Sequence, residues 1–495
     1  MDDPTFFFNY GESVGNLKQA AIDAYMRSQP GLWVIHDDHY QRSFTEGDRN
    51  IASVNVSRPG STGDYGGQTS VGFTYGSTPA DAETALETDF AGYFDQVRQS
   101  IDQALTSWKE LPNPADLDET IEQGIANASG MLPSFDFDGG SSGLSVGELP
   151  DCFTEVNELL AEMKGETVDG FQSFMNFQKA ALGRYAVLAM AQVNLTVAQQ
   201  ELWKHARRGL IRTIETASQA FRAAASSSGG DFSMALQVLG WAAAAAAPFT
   251  GGTSAIALAT VSTAAGALAT ITSPPPEEEE TINGDDYDSV LAAFSTALGS
   301  LSSSISSEEQ SAIEEVDKLL DVINNPVAPN TASGDMTGEE SINPSVETIN
   351  IDSVDITGYQ ELDIDTENMR TIWGGHLTTL CENLDHLATE ALGINIYAHV
   401  TRPATIGNGP SGAAERYYVI STTLNLLLKD ASWDVDNGAI QLEQAIRWLI
   451  ESDDDSRADL EAAASRVDDG SSYDYKEAEE AGYGPGVRPH PFAVE

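Results

Sequence analysis

The chain has 495 residues, 41% hydrophobic and 20% charged, which supplies enough apolar material for a sizeable core and excludes a globally disordered polymer. Its 76 Asp and Glu residues against 25 Lys and Arg give a formal net charge of -51. Such a surface repels phosphate backbones, so nucleic acid is not expected as a partner, and docking on anionic lipid requires an apolar element that inserts.

The N-terminal residues Met1-Asp2-Asp3-Pro4 lack a basic region followed by an apolar run, so a Sec-type signal peptide is not expected. Residues 1–79 read as a mixed region. Phe6-Phe7-Phe8 opens it, and a short helix is expected over 14–27. Ile51-Ala52-Ser53-Val54-Asn55-Val56 and Ser70-Val71-Gly72-Phe73-Thr74-Tyr75 flank a Gly-rich turn, and their alternation predicts a β-hairpin. Between these, His36-Asp37-Asp38-His39 offers metal-ligand types. Four adjacent residues rarely converge on one ion, so a polar surface turn is the expectation.

Helices are then expected over 80–108, behind Ser77-Thr78-Pro79, and over 116–131 and 151–163. The longest apolar periodicity runs without proline from 170 to 226, through Phe171, Leu182, Tyr185, Leu202, Trp203, Leu210, Ile214 and Phe221. A helix of that length spans roughly 80 Å and suits an elongated bundle or coiled coil.

Residues 232–276 carry no charge. Pro248, Phe249, Gly251 and Gly252 divide them into two apolar halves, the first with Trp241 and six alanines, the second with Ile256 and Leu258. The segment reads as an apolar helical hairpin with a Pro/Gly tip, each half near the lower limit for crossing a bilayer. A return helix is expected over 287–323, a linker over 326–360, and C-terminal helices over 366–392, 411–429 and 439–466. The fold class that follows is mainly α: an elongated helical bundle at 80–325 with a long central helix, a small N-terminal β-hairpin region, a helical domain at 361–466, and an acidic tail at 467–495.

Chemistry-bearing motifs are sparse. No nucleophile elbow, phosphate loop or paired-cysteine spacing occurs, so neither catalysis nor a metal or other cofactor is expected. Asp453-Asp454-Asp455 and the glutamates at 277–280 lack the alternation of a calcium loop and read as solvated faces. His376, Cys381 and His386, at spacings of five, diverge around a helix. Cys152 and Cys381 permit one disulfide or two buried thiols.

The tail reads Ser472-Tyr473-Asp474-Tyr475-Lys476-Glu477-Ala478-Glu479. Tyr473 with Glu477, and Tyr475 with Glu479, fit a Tyr-x-x-x-Asp/Glu pattern. It resembles the export signal that follows the helical hairpin of actinobacterial type VII (ESX) secretion substrates. Trp108 to Pro114 (Trp-x-x-Leu-Pro-x-Pro) and Leu202 to Arg207 (Leu-Trp-x-x-Ala-Arg) likewise resemble segments of large proteins associated with that system. The resemblance covers most of 80–480. Trp373-Gly374-Gly375 falls inside a predicted helix, so it is not equated with the Trp-x-Gly turn of the small family members.

That resemblance implies a non-enzymatic secreted interaction or effector protein, cytoplasmic before export and then secreted or held at the cell surface. Its partners would be the secretion machinery, a helical protein or a second copy of the chain. Two alternatives stay open. The apolar hairpin suits a membrane-inserting, pore-forming protein, and the acidity suits a structural or scaffold protein of a salt-loving cell.

Overall fold

The structure is a computed structural model that describes residues 3–46, 48–131, 148–226, 233–239, 277–283, 286–324 and 365–451. These are mostly helical, with a small antiparallel four-stranded sheet near the N-terminus.

Helix α1 (Asp3–Ser28) is longer than its periodicity over 14–27 suggested. Gly11 and Gly15 weaken the local helix signal by about 1 kcal/mol each. Burial of Phe6, Tyr10, Val14, Leu17, Ala21 and Ala24 at helical spacing overrides that cost. Gly15 is also where the 57–69 loop comes close, since a Cβ there would lie 3.1 Å from the Thr62 Cα.

The sheet has the order β1 (Trp33–Ile35), β2 (His39–Glu46), β3 (Arg49–Ser57) and β4 (Thr69–Thr74). The expected hairpin is its β3–β4 pair, in register at Ala52 with Thr74 and Val56 with Thr69. Two further strands complete the sheet. Neither carries a clear sequence signal, because β1 is only three residues long and β2 separates Tyr40 and Phe44 by Gln41, Arg42 and Ser43. Asp23 ties the sheet to α1: it accepts from the Tyr40 hydroxyl at 2.7 Å and from Arg58 Nε at 2.8 Å.

The helix expected over 80–108 is divided. α2 (Ala80–Glu87) ends where Thr88 and Asp89 leave helical geometry, and the Asp89 carboxylate caps α3 (Phe90–Leu105) by accepting from the Gly92 N–H at 3.0 Å. Two short 3-10 turns, Thr106–Glu110 and Pro114–Leu117, lead into α4 (Asp118–Gly130), and α5 (Glu148–Ala161) follows.

The 61-residue α6 (Glu166–Ser226) is about 92 Å long at 1.5 Å per residue. α1, α4 and α5 pack on it, as do α7 (Tyr287–Asn324) and α11 (Ala414–Glu451). Between Ala181 and Gln200 it is buried on nearly every side. Buried polar pairs fix the register there: Thr196 donates to the Tyr417 hydroxyl at 2.6 Å, and Gln192 donates to Ser421 Oγ at 2.7 Å.

The apolar segment departs from expectation at its entry. Residues Ser233–Leu239 form strand β5, antiparallel to β6 (Glu277–Asn283), instead of the first turns of a helix. Met234, Leu236 and Val238 alternate with their neighbours, a period of two that suits a paired strand. Trp241, Pro248, Phe249, Gly251, Gly252, Ile256 and Leu258 lie outside the described residues. Among those described, one stretch, Tyr287–Glu314 of α7, reaches the length and mean hydropathy (1.2) of a membrane span. Its Val290, Phe294, Leu298, Leu301 and Ile305 are buried in the core.

After residue 365 the chain forms α8 (Thr366–Thr371), a π turn (Ile372–Leu377), α9 (Thr378–Gly393), the single turn α10 (Tyr397–Val400) and α11. Trp373-Gly374-Gly375 therefore sits within a helical run. The helices expected at 411–429 and 439–466 are joined as far as Glu451: α11 runs unbroken through residues 430–438, where the sequence reading leaves a gap. Leu424, Leu427, Leu428, Ala431, Val435 and Leu442 carry the buried stripe across it. Gly438 is demanded by packing, since a Cβ there would lie 2.7 Å from the Phe174 ring. Side chains from Phe6 to Leu442 share one hydrophobic core.

Candidate functional site

A cluster of buried polar and charged side chains surrounds Trp203 and Arg207 of α6. The periodicity of this helix turns Trp203, Ala206, Arg207 and Leu210 inward, and Trp203 is completely buried. Arg207 is 1% exposed. Its Nη2 donates to the Leu111 carbonyl at 3.0 Å and its guanidinium stacks 4.5 Å from the Phe6 ring centroid. Gln200, two turns earlier, donates to the Pro114 carbonyl at 3.1 Å. The Trp-x-x-Leu-Pro-x-Pro element is thus clamped onto the Leu-Trp-x-x-Ala-Arg centre. The prolines favour this docking, because the residues that precede them, Leu111 and Asn113, are held extended, and the Leu111 carbonyl is turned to Arg207.

On the other flank, the Arg402 guanidinium lies 4.8 Å from the Trp203 ring centroid and pairs with Glu309 of α7 at 2.5 Å. Both charged side chains are fully buried. Arg402 also donates to the carbonyls of Ile406 (3.1 Å) and Val400 (3.2 Å), and Glu309 accepts from the Asn408 N–H at 2.8 Å. The 401–413 loop wraps this pair closely. Gly407 and Gly412 adopt φ of +62° and +52°, and a Cβ on Gly412 would fall 2.1 Å from Glu309 Oε1. Burial pushes the Glu309 carboxyl above its usual range, and the Arg402 charge pulls it back only in part. Burial likewise pushes the Arg402 guanidinium down against the pull of Glu309.

Chemically, this arrangement locks. The lone pairs of Glu309 are taken by Arg402 and Asn408, and the donors of Arg402 by Glu309 and backbone carbonyls. Four segments distant in sequence (the α1 start, 108–114, α7 and the 401–413 loop) meet on one turn of α6.

Beside the cluster, His205 is pushed down to about 4, first by burial and then by Arg208, with Glu201 acting in the opposite sense. The unfolded chain takes up this proton near pH 6.5. Between those values the unfolded state binds more protons, so the stability contribution is complete above about pH 6.5 and falls as pH drops towards 4. A His205→Gln variant is expected to flatten the pH dependence of the urea midpoint in that window. An unchanged slope would contradict the assignment.

The residues singled out in the sequence fare differently. His36 and His39 close the β1–β2 turn, where their rings stack at 4.5 Å and His39 Nδ1 lies 2.7 Å from Asp38. His376 meets Glu155 at 3.0 Å and His386 lies 3.7 Å from Glu390, so they diverge from Cys381. Cys152 and Cys381 are buried free thiols, and Cys381 donates to the Ser432 carbonyl at 3.5 Å. Tyr473, Tyr475, Glu477 and Glu479 lie outside the described residues, as do Asp453, Asp454 and Asp455. Glu309 and Arg402 escaped the sequence reading. The available signal was a glutamate standing on the buried stripe between Ile305 and Ala312. With this geometry in view, comparisons with protein-family models, with curated proteins and with solved structures return no match for the chain.

Proposed function

We propose that the chain is a non-enzymatic interaction protein exported by a type VII secretion system, with its helices gathered as an elongated bundle around α6. One observation carries the reading: α9 and α11 form an antiparallel helix pair, and the acidic tail at 467–495 lies C-terminal to it in the sequence. Cys381 meets Ser432, Asn425 donates to the Ala388 carbonyl at 2.8 Å and Ser421 to the Ile394 carbonyl at 3.4 Å, so α9 and α11 run in opposite directions. This pair is not the one expected at 411–429 and 439–466, which α11 joins into a single helix up to Glu451. The clamp between 108–114 and 202–207 adds support, because these two segments carry the resemblance and they pack on each other.

In this reading Tyr473 with Glu477, or Tyr475 with Glu479, supplies the aromatic ring and the carboxylate, four residues apart in sequence, that the export machine recognises. The test is export of a Tyr473→Ala/Tyr475→Ala chain from cells that carry such a system. Retention in the cell pellet is expected. Release into the medium equal to that of the parent chain would refute it.

A further inference from the structure

Residues 204–212 read Lys204-His205-Ala206-Arg207-Arg208-Gly209-Leu210-Ile211-Arg212 and contain no acid, in a chain where acids outnumber bases 76 to 25. Arg207 turns inward, whereas Arg208 and Arg212 are exposed and Lys204 and His205 partly so. These four share one face of α6 at spacings of three and four. Lys204 pairs with Glu201 at 2.7 Å. No ion pair joins Arg208 or Arg212 to a carboxylate among the described residues, although acids crowd the rest of the chain. The stripe is bounded by the partly buried Glu201 at one end and by the exposed Glu215 at the other.

We propose that this stripe docks a short acidic helix of a partner protein. Charge complementarity selects the sign of the partner, and the geometry selects its length. From 204 to 212 the helix rises about 12 Å, so the stripe faces roughly two turns of a second helix. Carboxylates at i, i+4 and i+7 of the partner meet Lys204, Arg208 and Arg212. Glu201 and Glu215 favour a base or a neutral residue opposite each end and repel a partner whose negative charge continues past it. A uniformly charged polyanion therefore fits poorly. At physiological ionic strength the screening length is about 8 Å, so the stripe acts locally and the remote acids of the chain oppose it only weakly. The proposal concerns a surface of the folded chain and does not rest on export.

The test uses the full-length chain and two fluorescein-labelled, alanine-based helical peptides of equal length. One carries glutamates at i, i+4 and i+7 with a lysine at each end, and the other carries glutamate at all five positions. Fluorescence anisotropy at about 0.15 M salt is expected to show tighter binding of the first peptide. An Arg208→Gln/Arg212→Gln chain, shown by circular dichroism to keep the parent's helicity and melting, is expected to bind it about tenfold more weakly. Failure of the parent chain to bind the patterned peptide would overturn the proposal, as would equal binding by the variant. Tighter binding of inorganic polyphosphate than of the patterned peptide would also overturn it, by marking the stripe as an oxyanion site.

Discussion

An Arg402→Met substitution is expected to destabilise the protein by about 3–5 kcal/mol, the cost of leaving one member of a buried ion pair without the other. Glu309 would keep its Asn408 N–H but lose the guanidinium that offsets its burial, and the Ile406 and Val400 carbonyls would lose a donor. Urea unfolding followed by circular dichroism measures the loss. A companion Glu309→Leu/Arg402→Met chain is expected to recover part of it, because an apolar pair of similar volume removes both charge-desolvation costs while the Ile406 and Val400 carbonyls and the Asn408 N–H still lack these partners. If the single variant matched the parent, the pair would contribute nothing to holding the 401–413 loop on α7.

A Trp203→Ala substitution is expected to cost a similar amount, about 3–5 kcal/mol, through the cavity left by a fully buried indole. It also removes the ring against which Arg402 stacks. Because the two side chains touch, the double variant Trp203→Ala/Arg402→Met should lose less than the sum of the single losses. Full additivity by the same urea assay would show that the two side chains do not share one packed centre.

Both effects concentrate on one turn of α6, and that turn shows how far the sequence could be read. The length of α6 was legible because an apolar stripe ran from Phe171 to Phe221 without a proline. The β3–β4 hairpin was legible from alternation on both sides of a Gly-rich turn. Local signals failed where tertiary contact overruled them. Asp434 to Gly438 carries turn-forming residues, yet helix α11 continues there because Gly438 lets it approach Phe174. Thr88 and Asp89 carry no proline or glycine, yet the helix breaks there, and the Asp89 cap becomes visible only in three dimensions.

The charged centre was legible only in part. Segments 108–114 and 202–207 are far apart in the sequence, and Arg207 joins them through the Leu111 carbonyl. Glu309 and Arg402 lie 93 residues apart in sequence, and neither sits in a local pattern that names the other. Periodicity identifies which face of a helix is buried. It does not identify which distant charge neutralises a glutamate on that face.

The centre of α6 is the common attachment of α1, the 108–114 segment and the 401–413 loop. Hydrogen exchange read by mass spectrometry tests this most directly. Amides of 198–212 are expected to be among the slowest in the protein and to exchange only through global unfolding, and Arg402→Met should speed exchange in 401–413 before it affects α4. Rapid exchange at 198–212 while the flanking turns of α6 stay protected would contradict it.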